Sequence, residues 1–357
     1  MTTTKAGAAR AIRAFRRASR GPGRGAVTAA AVLAAAAGVL APAPARPAPV
    51  CADRTGTGEP VLVARIPDWV ESIAVDRRGR MFATAPHSGR VYRIDAPGVT
   101  PVPITGGIGA NGGIVVREDG RLLVGTGNDI LHSLTGGVLP VSKLLLVDPD
   151  SGAVSTYASG LGGIDGVALA PDGTVYTTTL GAGTIGRVTL DRRVDHAWAR
   201  VAQPNGIADS PDGTQVYVVQ TTVAPGLHRI PVADPGHPQR WISTEGTDAL
   251  ALPDGLTLDA RGRPLIATHT AGQVWRAEGG TFCAVASGPP LSTQITYGQG
   301  DRGFSAGRLY RAGPTGESTR SREAGRSVDR TSTHHRSSSD VPVGSGCSVQ
   351  MTLPSAV

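Results

Sequence analysis

Apolar and polar residues alternate in short runs along most of this chain, and a glycine-containing turn follows almost every run. "PNGIADSPDGTQVYVV" (residues 204–219) shows the arrangement: one turn opens the unit, Ile207 and Ala208 begin a strand, Pro211-Asp212-Gly213 reverses it, and Val216-Tyr217-Val218 return. Period-two alternation on either side of a tight Asp-Gly or Arg-Gly turn predicts a β-hairpin. The same unit recurs as "SIAVDRRGRMFATAPHSGRVYRID" from Ser72, "GGIVVREDGRLLVGTGNDILHSL" from Gly112, "DGVALAPDGTVYTTTLGAGTIGRVTL" from Asp165, "NGIADSPDGTQVYVVQT" from Asn205 and "DGLTLDARGRPLIATHTAGQVWRA" from Asp254. A weaker copy, "TQITYGQGDRGFSAGRLYRA", starts at Thr293. The spacing of roughly 40 to 55 residues is that of repeat architectures.

Each unit adds a third run, such as "GRVYRID" or "GQVWRAE", and a fourth, such as "VSTYAS" or "FCAVAS". A four-stranded sheet with two apolar faces cannot bury both alone, whereas a ring of such sheets covers every face. The expectation is an all-β, six-bladed β-propeller with four-stranded blades over residues 61–316. "VLVARI" (Val61 to Ile66) precedes the first unit and serves as the outer strand of the last blade, closing the ring. A β-sandwich with similar turns is the competing architecture, although it demands no sustained period.

Composition agrees: 49 Gly and 27 Pro among 357 residues, with few aromatics. The formal net charge of +7 would suggest nucleic acid. However, Lys5, Arg10, Arg13, Arg16, Arg17, Arg20 and Arg24 account for all of it, and the rest of the chain is formally neutral. The basic leader is followed by the apolar run "AVTAAAVLAAAAGVLA" and by Ala43-Pro44-Ala45, the order of a secretory signal peptide (1–45), with 46–60 a linker. A secreted, monomeric protein without a stable membrane span after leader removal is expected. Outside the cell a disulfide is permitted. Of Cys51, Cys283 and Cys347, the pair Cys51–Cys283 is preferred because both flank apolar runs; three free thiols are the alternative. Residues 317–357 form a Ser/Arg-rich tail too polar to build a core, expected to be disordered. "CSVQMTL" (Cys347 to Leu353) alternates and offers a strand to the incomplete last blade.

In a propeller the innermost strand of each blade starts at the channel mouth. Glu71, Asn111, Asp165, Asn205 and Asp254 each precede a first strand, so five oxygen-bearing side chains should meet around the axis. Clustered acids of one sign call for a cation, and oxygen donors without thiolate favour Ca²⁺. Asp-Gly and Asn-Gly are also ordinary turn pairs, as Asp172 and Asp212 are here; position before the strand is what sets the five apart.

At "VESIAVD", "PNGIADSPDG" and "LPDGLTLDARGR" the chain resembles the gluconolactonase/regucalcin (senescence marker protein) family of calcium-dependent propellers. The resemblance implies that Glu71, Asn205 and Asp254 bind the metal and that Asp254 is the catalytic base or nucleophile. Where that family often has Asn-Asp-Gly, this chain has Ile164-Asp165-Gly166, a departure at a substrate-contacting position. The implied activity is hydrolysis of lactones or related esters, a small-molecule substrate being polarised at the metal. Asn111, Asp165, His87 and His269 are further candidates for substrate or metal contact. The alternatives are a non-catalytic secreted propeller that binds a peptide or glycan, and lyase or synthase chemistry on the same scaffold.

Overall fold

The computed structural model describes residues 48–52, 60–314 and 347–352. The leader, residues 53–59 and most of the tail lie outside the described residues. Among the described residues no helix is long and apolar enough to cross a membrane.

The chain folds as an all-β propeller, and five of its blades are antiparallel sheets of four consecutive strands. Blade one comprises β2 (Ser72–Val75), β3 (Met81–Ala85), β4 (Arg90–Ile94) and β5 (Val102–Pro103). Blade two has β6 (Ala110–Val116), β7 (Leu122–Thr126), β8 (Ser142–Val147) and β9 (Val154–Leu161), with a short helix, α1 (Ile130–Thr135), between β7 and β8. Blade three is β10 (Val167–Leu169), β11 (Val175–Thr179), β12 (Thr184–Val188) and β13 (Val194–Arg200). Blade four is β14 (Pro204–Asp209), β15 (Gln215–Gln220), β16 (Gly226–Pro231) and β17 (Gln239–Ser243). Blade five is β18 (Pro253–Leu258), β19 (Pro264–Thr268), β20 (Gln273–Glu278) and β21 (Thr281–Ser287).

The expectation of six uniform blades is met for these five; the remaining sheet is composite. Its order is β1 (Val61–Ile66), β24 (Cys347–Thr352), β23 (Leu309–Pro314) and β22 (Ile295–Tyr297). β24 pairs with both β23 and β1, in registers such as Ala312↔Val349 and Arg65↔Ser348.

Turn chemistry explains the hairpins. Asp76 accepts from the backbone N–H of Arg78 (3.0 Å) and Arg80 (2.8 Å), and its second oxygen takes Arg80 Nε at 2.7 Å. Asp259 repeats this with Arg261 and Arg263. Both turns close through a glycine at positive φ, Gly79 (77°) and Gly262 (74°), where a side chain would be strained.

The core lies between blades. Leu123, Leu144 and Leu161 of blade two pack on Val167, Val175 and Val188 of blade three. Val219 and Leu227 of blade four pack on Leu256, Ile266 and Trp275 of blade five, and Ile66, Tyr310 and Ala312 of the composite sheet pack on Ile73, Val75 and Met81 of blade one. Each fully buried Leu or Ile contributes about 1.5–3 kcal/mol, so no blade is stable without its neighbours. Residues 48–51, which read as linker, instead run along β21: Cys51 N–H donates to Ala284 O (3.1 Å), Ala284 N–H donates to Pro49 O (2.8 Å), and Cys51 is disulfide-bonded to Cys283.

Candidate active site

The first strands are drawn together at one end, and the glycines of the repeat are the reason. A β-carbon on Gly166 would lie 2.6 Å from Asn205 O, and one on Gly113 2.6 Å from Val167 N. Gly112, Gly206 and Gly255 are likewise backed against the backbone of the following blade. Each glycine follows or lies just beyond a mouth residue, so its missing side chain lets adjacent backbones close on the axis.

Hydrogen bonds complete the ring. The Thr84 hydroxyl accepts from Ser72 N–H (3.1 Å) and donates to Gly112 O in the next blade (2.8 Å). Thr178 repeats this, accepting from Gly166 N–H (2.8 Å) and donating to Asn205 O (2.7 Å). Gly113 N–H donates to Asp165 O (2.6 Å) and Gly255 N–H to Thr293 O (2.9 Å). The Thr293 hydroxyl donates to Val70 O (2.9 Å), returning to the segment before blade one.

This scaffold gathers carboxylates. Glu71 is held well above the usual carboxylate range, first by burial and then by the Asp165 and Asp254 charges, with a bond from the Trp69 side chain acting the other way. Burial and the Asp254 charge push Asp165 up to about 7. Asp254 is raised by burial, against the opposing pull of His269 and the Asn205 side chain. Asp254 acts on both Glu71 and Asp165, and Asp165 on Glu71, so the three lie close together, and no Lys or Arg is among the groups that act on them. Buried like charges without a counter-charge are costly unless protonated or neutralised by a cation.

Asn128 joins the group from a place the repeat does not mark, the loop after β7. Its Nδ2 donates to Glu71 Oε1 and to Asp165 Oδ1, each at 3.2 Å, and its backbone N–H donates to Asn111 Oδ1 at 3.0 Å. Asn111 therefore orders this loop. His269 Nδ1 stands 3.4 Å from Asp254 Oδ2. His87 is largely exposed, and its Nδ1 lies 3.3 Å from Asp68 Oδ1. Asp68 is tied down in turn by the N–H groups of Trp69 and Ser88.

Carboxylate and amide oxygens at Glu71, Asn205 and Asp254 suit a hard divalent cation, and the orphaned negative charge is what such an ion would relieve. Among the described residues no three His, Cys, Asp or Glu side chains stand as a metal cluster; the Asn205 amide, which hydrogen-bonds Asp254, would add an oxygen donor beside it. A cavity of about 960 Å³ lies further along the first strands, lined by later residues including Val75, Leu169, Asp209 and Leu258; none of the five mouth residues lines it.

With this geometry the chain can be set beside known proteins. Residues 177–304 match the SMP-30/Gluconolactonase/LRE-like region. No curated protein sequence matches the chain. A gluconolactonase from Xanthomonas campestris superposes with a TM-score of 0.62 at 16% identity, covering 88% of this chain and 99% of that one. The calcium-binding protein regucalcin from Agrobacterium tumefaciens gives 0.55 at 21%, covering 70% and 85%, and a luciferin-regenerating enzyme gives 0.57 at 14%, covering 82% and 95%. At these identities the likeness carries the fold. Residues 177–304 thus resemble the SMP-30/Gluconolactonase/LRE-like region, and the chain shares the propeller fold of these proteins.

Proposed function

We propose that the chain is a secreted, calcium-dependent hydrolase of lactones or related esters, acting on a small molecule at the mouth of a six-bladed propeller whose last blade is completed by β1. The observation that carries this reading is the trio Glu71, Asp165 and Asp254, buried or partly buried and tied together by Asn128, which bonds Glu71 and Asp165, with no Lys or Arg acting on them and His269 beside Asp254. Gluconolactonase and calcium-binding neighbours support the reaction class and the metal.

Glu71, Asn205 and Asp254 would hold the ion. When bound, Ca²⁺ supplies Lewis acidity that draws electron density from an ester or lactone carbonyl. Asp254, with its pKa raised by burial, is the base that takes a proton from the attacking water. His269, beside Asp254, can receive that proton or return it to the leaving alkoxide. Asn128 fixes Glu71 and Asp165 against each other, and the Asp165 carboxyl, protonated below about 7, is a hydrogen-bond donor for a substrate hydroxyl or ring oxygen. Burial of the group excludes bulk water and strengthens these interactions.

The test is a panel of lactones, aryl esters and organophosphates assayed with calcium and with chelator, on wild type and Asp254→Asn. Hydrolysis should fall by about 10²-fold or more in the variant, the size expected for losing a general base, while part of the calcium-dependent rise in Tm persists. Turnover indifferent to both changes contradicts the reading, and binding of a glycan or peptide without turnover of any ester would support the non-catalytic alternative.

A further inference from the structure

The connection between β7 and β8 spans residues 127–141, whereas the corresponding connections of blades one, three and five are four residues each. Loops between second and third strands lie at the mouth end of a blade, so this insertion stands at the candidate site, and its first residues include Asn128. Its helix is inside out. Ser133 is the side chain α1 buries, accepting from Gly181 N–H at 2.8 Å, while Ile130, Leu131 and Leu134 are 52%, 67% and 56% exposed. In the loop that follows, Val138, Leu139 and Val141 are also exposed, at 80%, 61% and 59%. A surface helix ordinarily turns its apolar side inward, and contiguous exposed apolar groups mark a binding face.

The insertion is fixed in place. Asp129 caps α1, accepting from His132 N–H at 3.0 Å, and His132 O accepts from Gly136 N–H (2.9 Å) and Gly163 N–H (3.3 Å). Gly163 belongs to the segment that leads to Asp165. The apolar face therefore begins two residues from Asn128, about 8 Å along the chain, and Asn128 itself touches Glu71 and Asp165. A polar reaction centre and an apolar strip so joined match a molecule with a polar head and an alkyl tail. A lipid surface is the weaker occupant because residues 127–141 contain no Lys or Arg to meet lipid headgroups.

We infer that α1 and the loop after it select the substrate, binding the alkyl chain of an amphiphilic ester or lactone whose carbonyl enters the ring of Glu71, Asn205 and Asp254. This rests on the hydrolase reading for its chemistry, but not for its binding. Half-burial of methylenes on such an open face should raise kcat/KM by about twofold for each one added, full burial of a methylene corresponding to about fourfold.

The full chain with calcium is assayed on butyryl and dodecanoyl aryl esters, as wild type and as the Ile130→Ser/Leu131→Ser/Leu134→Ser variant, with Leu131→Ser alone as a milder second. Wild type should prefer the dodecanoyl ester, eight methylenes longer, by roughly 250-fold, and the preference should shrink at least about tenfold in the triple variant and by a lesser factor in Leu131→Ser. Calorimetric binding of the matching non-hydrolysable dodecanoyl and butyryl lactams reads the same selectivity without turnover. If no ester is cleaved but the long lactam binds better and the variants lose that difference, the hydrolase reading fails and this inference stands. Equal handling of short and long chains, or a preference unchanged in both variants, overturns it. So does loss in the variants of self-association or of adhesion to phosphatidylcholine vesicles with no change in chain-length preference, which would assign the face to a second copy or to lipid.

Discussion

The carbonyl oxygen of Asp254 occupies the space that a β-carbon on Gly206 would need. The glycine after Asn111, Asp165, Asn205 and Asp254 is thus a packing device as well as a turn residue, admitting the next blade's backbone to the axis. Gly206→Ala should destabilise by about 1–3 kcal/mol, the usual cost of overpacking, and should also spread Asn205 from Asp254. Gly106→Ala, where nothing lies within 4 Å, is the control and should leave Tm unchanged. Thermal melts with and without calcium check both.

Asn128 holds the mouth through one amide. Removing its donors in Asn128→Ala leaves the buried Glu71 and Asp165 oxygens short of partners, at about 1–3 kcal/mol. The loss should be greatest above pH 7, where Asp165 is ionised, and calcium should recover more of it than in wild type. Chemical denaturation at pH 5.5 and pH 8 measures the difference.

Asp209 stands in β14 where the equivalent positions of other blades carry Val75, Leu169 and Leu258. Neither carboxylate oxygen has a hydrogen-bond partner among the described residues, and burial, then Asp172 and Asp212, push its pKa from 3.8 to about 6. The folded state therefore holds this proton more tightly than the unfolded one. The associated stability is complete below about pH 3.8 and is lost as the pH rises through about 6. Asp209→Asn should match wild type near pH 4 and exceed it by about 1–2 kcal/mol at pH 8, a figure reduced for partial solvent screening. Melts across that range read the divergence.

The Cys51–Cys283 bond ties the segment before β1 to β21 across 232 residues. Its loss in Cys51→Ser should cost about 2–5 kcal/mol and free the 48–51 segment from Ala284. Hydrogen exchange at Ala284, with reduced and oxidised protein compared in denaturant, checks both effects.

The repeat made much of this legible in the sequence. Alternation and Asp-x-x-Gly-Arg turns marked the hairpins, position before the first strand picked out Glu71, Asn111, Asp165, Asn205 and Asp254, and the family resemblance named Glu71, Asn205 and Asp254 among them as ligands. Asn128 could not be found that way, because it lies in an insertion present in one blade only, and its role depends on which loop folds over the axis. Loop membership alone does not say which neighbour a side chain meets: His87 stands exposed beside Asp68. The Thr84 and Thr178 hydroxyls, each bridging two blades, follow from aligning second strands, a comparison that apolar periodicity passes over. The composite sheet was the hardest part, since β24 is separated from β23 by a long polar stretch and only the alternation of "CSVQMTL" hints at a strand.

The central claim is that separate blades bring Glu71, Asn205 and Asp254 together to hold one divalent ion. Calorimetric titration of Ca²⁺ into metal-free protein, repeated on Glu71→Gln, tests it most directly. One ion per chain, bound at least about tenfold more weakly after loss of a ligand charge, is the expected result. No saturable calcium binding, or binding untouched by Glu71→Gln, would contradict it.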